Sequence, residues 1–328
     1  MWRYILKRLL MMIPVMLGVT LLVFLMLEIT PGDPARQILG DQATEEMVQQ
    51  LREEMGLNDN FFVRYARYVW NVCHGDFGTS YSTGRPVFKE IIERFPTSLK
   101  LSAFATLVSV LLGIPLGIFS AIKQYSWVDS ILVGIALIGV SMPGFWLGLM
   151  LILLFSVKLG WLPSSGFAGP IYWILPSITI GYISAATIFR MTRSSMLEVI
   201  RQDYIRTTRA KGQKESKVIT KHALKNAIIP IITVIGLRFG GSLGGSVITE
   251  QIFSIPGLGQ LMINAINNRN YPIVQGGVLL IALSYSLINL LVDILYAFAD
   301  PRIKSLYSVK KVKKDHKTLS MLAAKEED

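Results

Sequence analysis

Cysteine and histidine are scarce in this 328-residue chain, which has one Cys and three His. The single Cys73 excludes an intramolecular disulfide and any cysteine-built metal cluster. The histidines, His74, His222 and His316, fall in three separate segments, so no convergent set for metal ligation or nucleophilic catalysis is visible. The nucleotide-binding pattern GxxxxGK followed by Ser or Thr is also missing, and no internal repeat stands out. No catalytic residue, cofactor or metal site is therefore expected in this chain, and any ATP chemistry would belong to another one. Charge is sparse as well. Only 17% of residues are charged, 52% are hydrophobic and the mean hydropathy is +0.47, a balance that argues against a soluble enzyme and points to a membrane protein.

Long uncharged runs are abundant. A membrane-spanning helix needs about 20 apolar residues, and such runs occupy 9–27, 101–122, 130–157, 171–189 and 271–292, with a sixth at 227–249 broken only by Arg238. We expect an all-α integral membrane protein with six spans, at 9–29, 99–122, 129–158, 171–190, 227–249 and 271–299. The first run follows Arg3, Lys7 and Arg8 as a signal peptide would, but it is long and no small-x-small cleavage site precedes Pro31, so it reads as an uncleaved anchor. The run at 130–157 carries Pro143 and could fold as a hairpin of two short helices. That hairpin would send the basic stretch after residue 190 outside, and each half would be too short to span, so one long, tilted or kinked helix is expected.

Net charge, +11 overall, is concentrated in three patches. Residues 190–225 hold ten Lys or Arg against three acids, 301–328 hold eight against four, and 1–8 contribute three bases and no acid. Six spans place all three patches on the cytoplasmic side, as the positive-inside rule requires. Each patch abuts an apolar run, which favours this reading over nucleic-acid binding. The expected setting is a membrane with both termini, 1–8 and 300–328, on its cytoplasmic side. The basic tail suits anionic lipid.

Between the first two spans, 30–98 is too long for a simple connection and has helical signals of its own. Thr44 can cap a helix that carries Glu45 and Glu46 in its first turn, turns Val48, Leu51 and Met55 to one face and stops at Gly56. The stretch 61–70 is aromatic, with Phe62, Tyr65 and Val69 on one side. Such a segment can pack on the membrane helices or touch a ligand directly.

The segment 191–226 mixes charged and apolar residues and contains Asp203-Tyr204-Ile205-Arg206-Thr207-Thr208-Arg209-Ala210-Lys211-Gly212. It suits surface helices broken near Gly212, where the missing Cβ allows a turn or the close approach of a partner. The bland alternative is a solvated loop that only sets orientation. The string from Arg206 to Gly212 resembles the cytoplasmic coupling loop of permeases of bacterial ABC importers, in the dipeptide, oligopeptide and nickel branch. Pro31-Gly32-Asp33-Pro34, Gly75-Asp76-Phe77-Gly78, Pro256-Gly257-Leu258-Gly259 and Asp300-Pro301-Arg302 are similar to that branch in order and spacing. The large segment after the first span resembles the first of its two paired permeases.

The resemblance implies a type I importer permease fold and a subunit forming half of a path for peptides. Its implied partners are a second homologous permease, one or two cytoplasmic ATPase subunits carrying ATP and Mg, and an extracytoplasmic solute-binding protein. It also implies coupling to the ATPase through Asp203, Tyr204, Arg206, Thr207, Thr208, Ala210, Lys211 and Gly212. One departure stands out: the general importer motif has Glu-Ala-Ala ahead of its Gly, where this chain has Arg206-Thr207-Thr208.

Two features of the fifth run remain. Gly236, Gly240 and Gly244 recur every four residues, with Gly241 and Gly245 on an adjoining ridge, and such flat strips let another helix approach closely. The second permease is the favoured neighbour, internal packing the alternative. Arg238 is costly mid-membrane unless it faces water or a partner. It can line the substrate path together with Ser246 and Glu250, or pair with Asp293 or a backbone carbonyl. An ion-coupled secondary transporter is the competing function, but it calls for intramembrane acids or inverted halves. Only Glu28 and Asp293 come near that description, both close to span ends.

Overall fold

The computed structural model describes residues 2–40 and 42–299; the expected tail 300–328, including Asp300-Pro301-Arg302, lies outside them. Among the described residues the chain is helical, with one isolated antiparallel bridge between Thr79 and Pro86. In order, the elements are α1 (Trp2–Ile29), α2 (Pro34–Leu39), α3 (Glu45–Glu54), α4 (Phe61–Cys73), α5 (Val87–Ile122) and α6 (Trp127–Ser141). Next come α7 (Gly144–Leu151), which runs on as a π-helix over Ile152–Lys158, then α8 (Pro170–Ile200), α9 (Asp203–Ala210) and α10 (Glu215–Lys217). A π-helical turn, Val218–Ala223, leads into α11 (Leu224–Ile252), followed by α12 (Leu258–Asn267) and α13 (Tyr271–Ala299).

Among the described residues, five helical stretches are long and apolar enough to cross a membrane, and six if α6 and the helix after it count as one. That pair bends by 105° at Met142–Pro143, far more than the kink expected. Pro143 supplies no N–H, and the residue before it, Met142, is extended with φ −80° and ψ 125°, so the ladder stops there. Contacts with α8 show where the pair goes. Asp129 meets Arg193, Gly139 abuts Tyr182 and Ala186, Gly144 abuts Ile183, and Gly148 abuts Thr179. From Asp129 to Gly148 the neighbours on α8 shift from Arg193 to Thr179, with Gly139 and Gly144 meeting the same turn of α8 on either side of the bend.

Helices α5 and α8 form the central pair, and glycines set their distance. A Cβ on Gly113 would lie 2.9 Å from the Ala185 carbonyl oxygen, and one on Gly181 would lie 2.7 Å from that of Ala105. This is close small-residue packing between backbones, which suits helices that share lipid as solvent. Near one end of the pair, Ile188 and Met196 of α8 join Ile205, Val218, Ile219 and Ile231 in a buried cluster that holds α9 and α11.

The segment between α1 and α5 is ordered and rests on α1. Asp33 caps α2 by accepting from the Ala35 N–H at 3.0 Å, with Pro34 in the first turn, and its other oxygen accepts from Arg52 at 3.0 Å. Thr44 caps α3, Val48 is buried, and Gly56 ends the turn at φ +65°, as its sequence signals. The aromatic face of α4 differs from the one expected. Phe61, Tyr65 and Tyr68 surround Phe24 of α1 at 5.4, 5.7 and 6.1 Å between ring centroids, whereas Phe62 is exposed. Asn60 caps this helix, starting it so that the stripe 61, 65, 68 turns inward. The Tyr65 hydroxyl donates to the Leu17 carbonyl at 2.8 Å, and Arg64 pairs with Glu28 at 2.9 Å.

Candidate functional site

Beyond α8, helix α9 buries one residue and is otherwise largely open. Ile205 is fully buried, while Asp203, Tyr204, Arg206, Thr207, Ala210, Lys211 and Gly212 are exposed and Thr208 is half-buried. The Thr207 and Thr208 hydroxyls donate to carbonyls one turn back, at Asp203 and Tyr204, so their methyl groups stay on the surface. The Tyr204 hydroxyl accepts from Asn226 at 2.8 Å, tying α9 to the start of α11. Gly212 has φ +74° and nothing within 4 Å of a Cβ placed on it, so within this chain glycine serves the turn and not a close approach. Arg209 closes the turn on Glu215 with N–O distances of 3.0 and 2.6 Å. The result is a short rigid helix with a polar, basic outer face. The residues 191–200 before it are not loop but the continuation of α8.

A second feature is a groove with α8 as its floor, α11 on one side and α7 on the other. Its cavity of ≈ 580 Å³ is lined by Phe145, Ile183, Thr187, Arg238, Gly241 and Gly245, among others. Arg238 is exposed, and among the described residues no acid pairs with it. Asp293, offered as its alternative partner, is held by Arg8 at 2.9 Å.

Ser246 and Glu250 were expected to share this path with Arg238, and the structure places them elsewhere. Both are fully buried, on a face of α11 turned away from the groove. The Glu250 carboxylate accepts from the Ser246 hydroxyl at 3.0 Å and from the Gln260 N–H at 3.1 Å, in the first turn of α12. A carboxylate at a helix N-terminus meets unpaired N–H groups and the positive end of the helix dipole. The Pro256-Gly257-Leu258-Gly259 string exists for this contact, since a Cβ on Gly257 would lie 2.4 Å from a Glu250 oxygen and one on Gly259 2.5 Å from the Val247 Cα.

The glycine strip is corrected too. A Cβ on Gly236 would lie 2.0 Å from Val292, one on Gly240 3.0 Å from Tyr285, and one on Gly244 3.8 Å from Ile281, all on α13 of this same chain. Gly236, Gly240 and Gly244 therefore serve internal packing; Gly241 and Gly245, with open space around them, face the groove.

Sequence reasoning missed one polar centre. Asp129, buried at the start of α6, receives Arg193 of α8 in a two-pronged pair of 2.7 and 2.8 Å, the Ser120 hydroxyl of α5 and the Tyr125 N–H at 3.1 Å. The pair fastens three helices at the end of α8 nearest α9. An acid inside a predicted span's first turn, three residues after Ser126, was the available signal. On the opposite end, Asn270 donates to Ser80 and Ser82 at 2.7 Å each and accepts from the Tyr81 N–H, pinning the loop after α4 to the α12–α13 corner. Burial in that corner pushes the Tyr81 phenol up to about 12. His74 lies on the surface just after α4, and among the described residues no group of three metal-binding side chains occurs.

Comparison with known proteins covers almost the whole chain. Residues 113–305 match the family described as binding-protein-dependent transport system inner membrane component, and residues 1–102 match the N-terminal family of such components. The dipeptide transport system permease protein DppB of Alkalihalophilus pseudofirmus is 45% identical over 329 residues, spanning 92% of this chain and 99% of that protein. The glutathione transport system permease protein GsiC of Escherichia coli strain K12 is 43% identical over 304 residues, spanning 93% and 99%. Among solved structures, an inward-facing MetNI methionine ABC transporter chain superposes with a TM-score of 0.54 at 19% identity, covering 65% of this chain and 97% of that one, a likeness of fold.

Proposed function

We propose a peptide-import role for this chain on the premise that it belongs to the family of binding-protein-dependent transport system inner membrane components. It is a permease subunit of an ABC importer, a transport component of the inner membrane and not an enzyme. Di- or oligopeptides are the substrate class we assign, in keeping with the dipeptide and glutathione systems named for its relatives. Its path is completed by a second, homologous permease, and one or two cytoplasmic ATPases bind ATP and Mg and hydrolyse the ATP. A solute-binding protein delivers substrate from outside.

The observation that carries the reading is helix α9. A helix that buries only Ile205, is tied to α11 through Tyr204 and otherwise offers Asp203, Arg206, Thr207, Ala210 and Lys211 to solvent is a ready contact for another protein, and its basic face suits an acidic rim. Because Ile205 packs in the same cluster as Ile188 and Met196 of α8, a push on α9 is a push on the groove floor. Both termini and α9 lie on the cytoplasmic side in this reading, with α2 to α4 outside, and the α6–α7 pair is the third of six crossings. Arg238 lines the path and attracts a substrate carboxylate.

The test is purification from native membrane in mild detergent, with subunits identified by mass spectrometry and ATP hydrolysis assayed. A second permease and ATPases should come with the chain, and Gly212→Asp should abolish substrate-stimulated hydrolysis. A chain that purifies alone and moves solute without ATP overturns the reading.

A further inference from the structure

Among the described residues nothing covers the face of α4 turned away from α1, and the contacts on its other face fix how the helix lies. Phe61, Tyr65 and Tyr68 surround the single ring of Phe24 at 5.4, 5.7 and 6.1 Å. Phe61 and Tyr68 stand about 10 Å apart along their own helix, so α4 crosses α1 instead of running beside it. The crossing lies below the end of a span. Phe24 precedes Ile29, where that span stops, by five residues, or about 7.5 Å. An amphipathic helix lying in a bilayer surface sits about 5–10 Å into the boundary between headgroups and acyl chains, which is the same depth.

Rotation about the axis of α4 agrees with that depth. At 3.6 residues per turn Arg64, Arg67, Asn71 and His74 fall on one arc. Arg64 points that arc toward the membrane exterior, because it reaches Glu28, one residue before the end of α1, at 2.9 Å. Arg64, Arg67 and Asn71 also line a polar cavity of ≈ 400 Å³ with Glu54 and Asp76. The opposite arc, toward the membrane interior, carries Phe62 and Ala66, with Val63 and Trp70 beside them facing away from α1; all four are exposed. Trp70 meets His74 at 4.5 Å between ring centroids, at the border of the two arcs, as an indole at a membrane interface would. Leu22, Leu25 and Met26 of α1 are bare at the same level, so the surface that lipid covers on a spanning helix extends onto α4. We infer that α4 is a membrane-surface helix, seated in the leaflet on the Ile29 side of the bilayer, with Phe62, Val63, Ala66 and Trp70 among the acyl chains and Arg67 and His74 at headgroup level. The inference goes beyond the transport reading and takes from it only that α1 crosses the membrane.

The experiment uses the whole importer in vesicles of phosphatidylethanolamine and phosphatidylglycerol whose acyl chains are either plain or brominated near the carbonyl end. Tryptophan emission is compared for the wild type and Trp70→Phe, a change that keeps an apolar ring at an exposed position. Subtracting the variant removes every other tryptophan of the complex and leaves the emission of Trp70. That emission is expected to fall about twofold in brominated lipid, because bromine quenches an indole seated at this depth. As a second probe, p-benzoylphenylalanine in place of Phe62 is irradiated in the same vesicles and should give peptide–lipid adducts by mass spectrometry. The same probe in place of Glu46, on the exposed face of α3, should give none. Equal Trp70 emission in the two lipids, no lipid adduct at Phe62, or an adduct there with a polypeptide such as the second permease or another copy of the chain, overturns the lipid seat.

Discussion

Replacing Gly236 by Ala tests the internal packing of α11 on α13. The added Cβ would lie 2.0 Å from Val292 Cγ2 and 3.2 Å from Val292 Cβ. Valine is stiff at χ1 and cannot swing its methyl aside cheaply, and Val292 is buried against the strip. Either the helices part or the valine leaves its rotamer, which in a packed core costs about 1–3 kcal/mol. Val292→Ala alone removes packing contacts and should cost about 1 kcal/mol, since lipid solvates an apolar side chain well and dispersion is most of what is lost. The pair Gly236→Ala/Val292→Ala adds one methyl and removes two across the interface, the clashing Cγ2 among them, so it should recover at least about 1 kcal/mol relative to the sum of the single changes. Thermal unfolding of the detergent-purified complex, followed by tryptophan fluorescence, reads this as a drop of several degrees for Gly236→Ala and partial recovery in the pair. Gly241→Ala, in open space, serves as the control with no shift expected. If Gly236→Ala and Gly241→Ala behave alike, or the double variant is merely additive, the internal assignment of the strip is wrong.

Three other outcomes follow from the same geometry. Gly212→Asp adds a side chain at φ +74°, a local strain of about 1 kcal/mol with no clash inside the chain, so circular dichroism and melting should change little while coupled ATP hydrolysis is lost. Arg238→Gln should leave expression and assembly intact and slow uptake of peptides with a free carboxylate; uptake at the wild-type rate removes it from the path. Asp129→Asn leaves the Arg193 guanidinium, a quarter exposed, without its counter-charge and should lower stability by about 2 kcal/mol, less than for a fully buried pair because Arg193 reaches water. An unchanged melting point for Asp129→Asn would show that the three-helix fastening contributes nothing.

How much of this was legible beforehand depended on whether the signal was local. The apolar runs, the Thr44 cap and the stop at Gly56 are properties of neighbouring residues, and the structure repeats them. Pro143 announced a break, but the 105° bend depends on how Gly139, Gly144 and Gly148 seat on α8. Glu250 read as a pathway acid because a carboxylate near a span end has few other obvious uses. Its true partner, the start of α12, comes from a turn of the chain that hydropathy does not encode.

The sequence by itself determined that the chain is a helical membrane protein, where its apolar runs lie, and where several of its helices begin and stop, because length, hydropathy and capping act over one or two turns. It also determined which residues share a helix face, since 3.6 residues per turn is a local constant. Only the tertiary structure decided what each face meets: Gly236 and Gly240 against α13, Gly241 and Arg238 in the groove, Glu250 under α12, and Asp129 on Arg193. Periodicity names a face but not its neighbour, and the neighbour is chosen by packing among helices far apart in the chain.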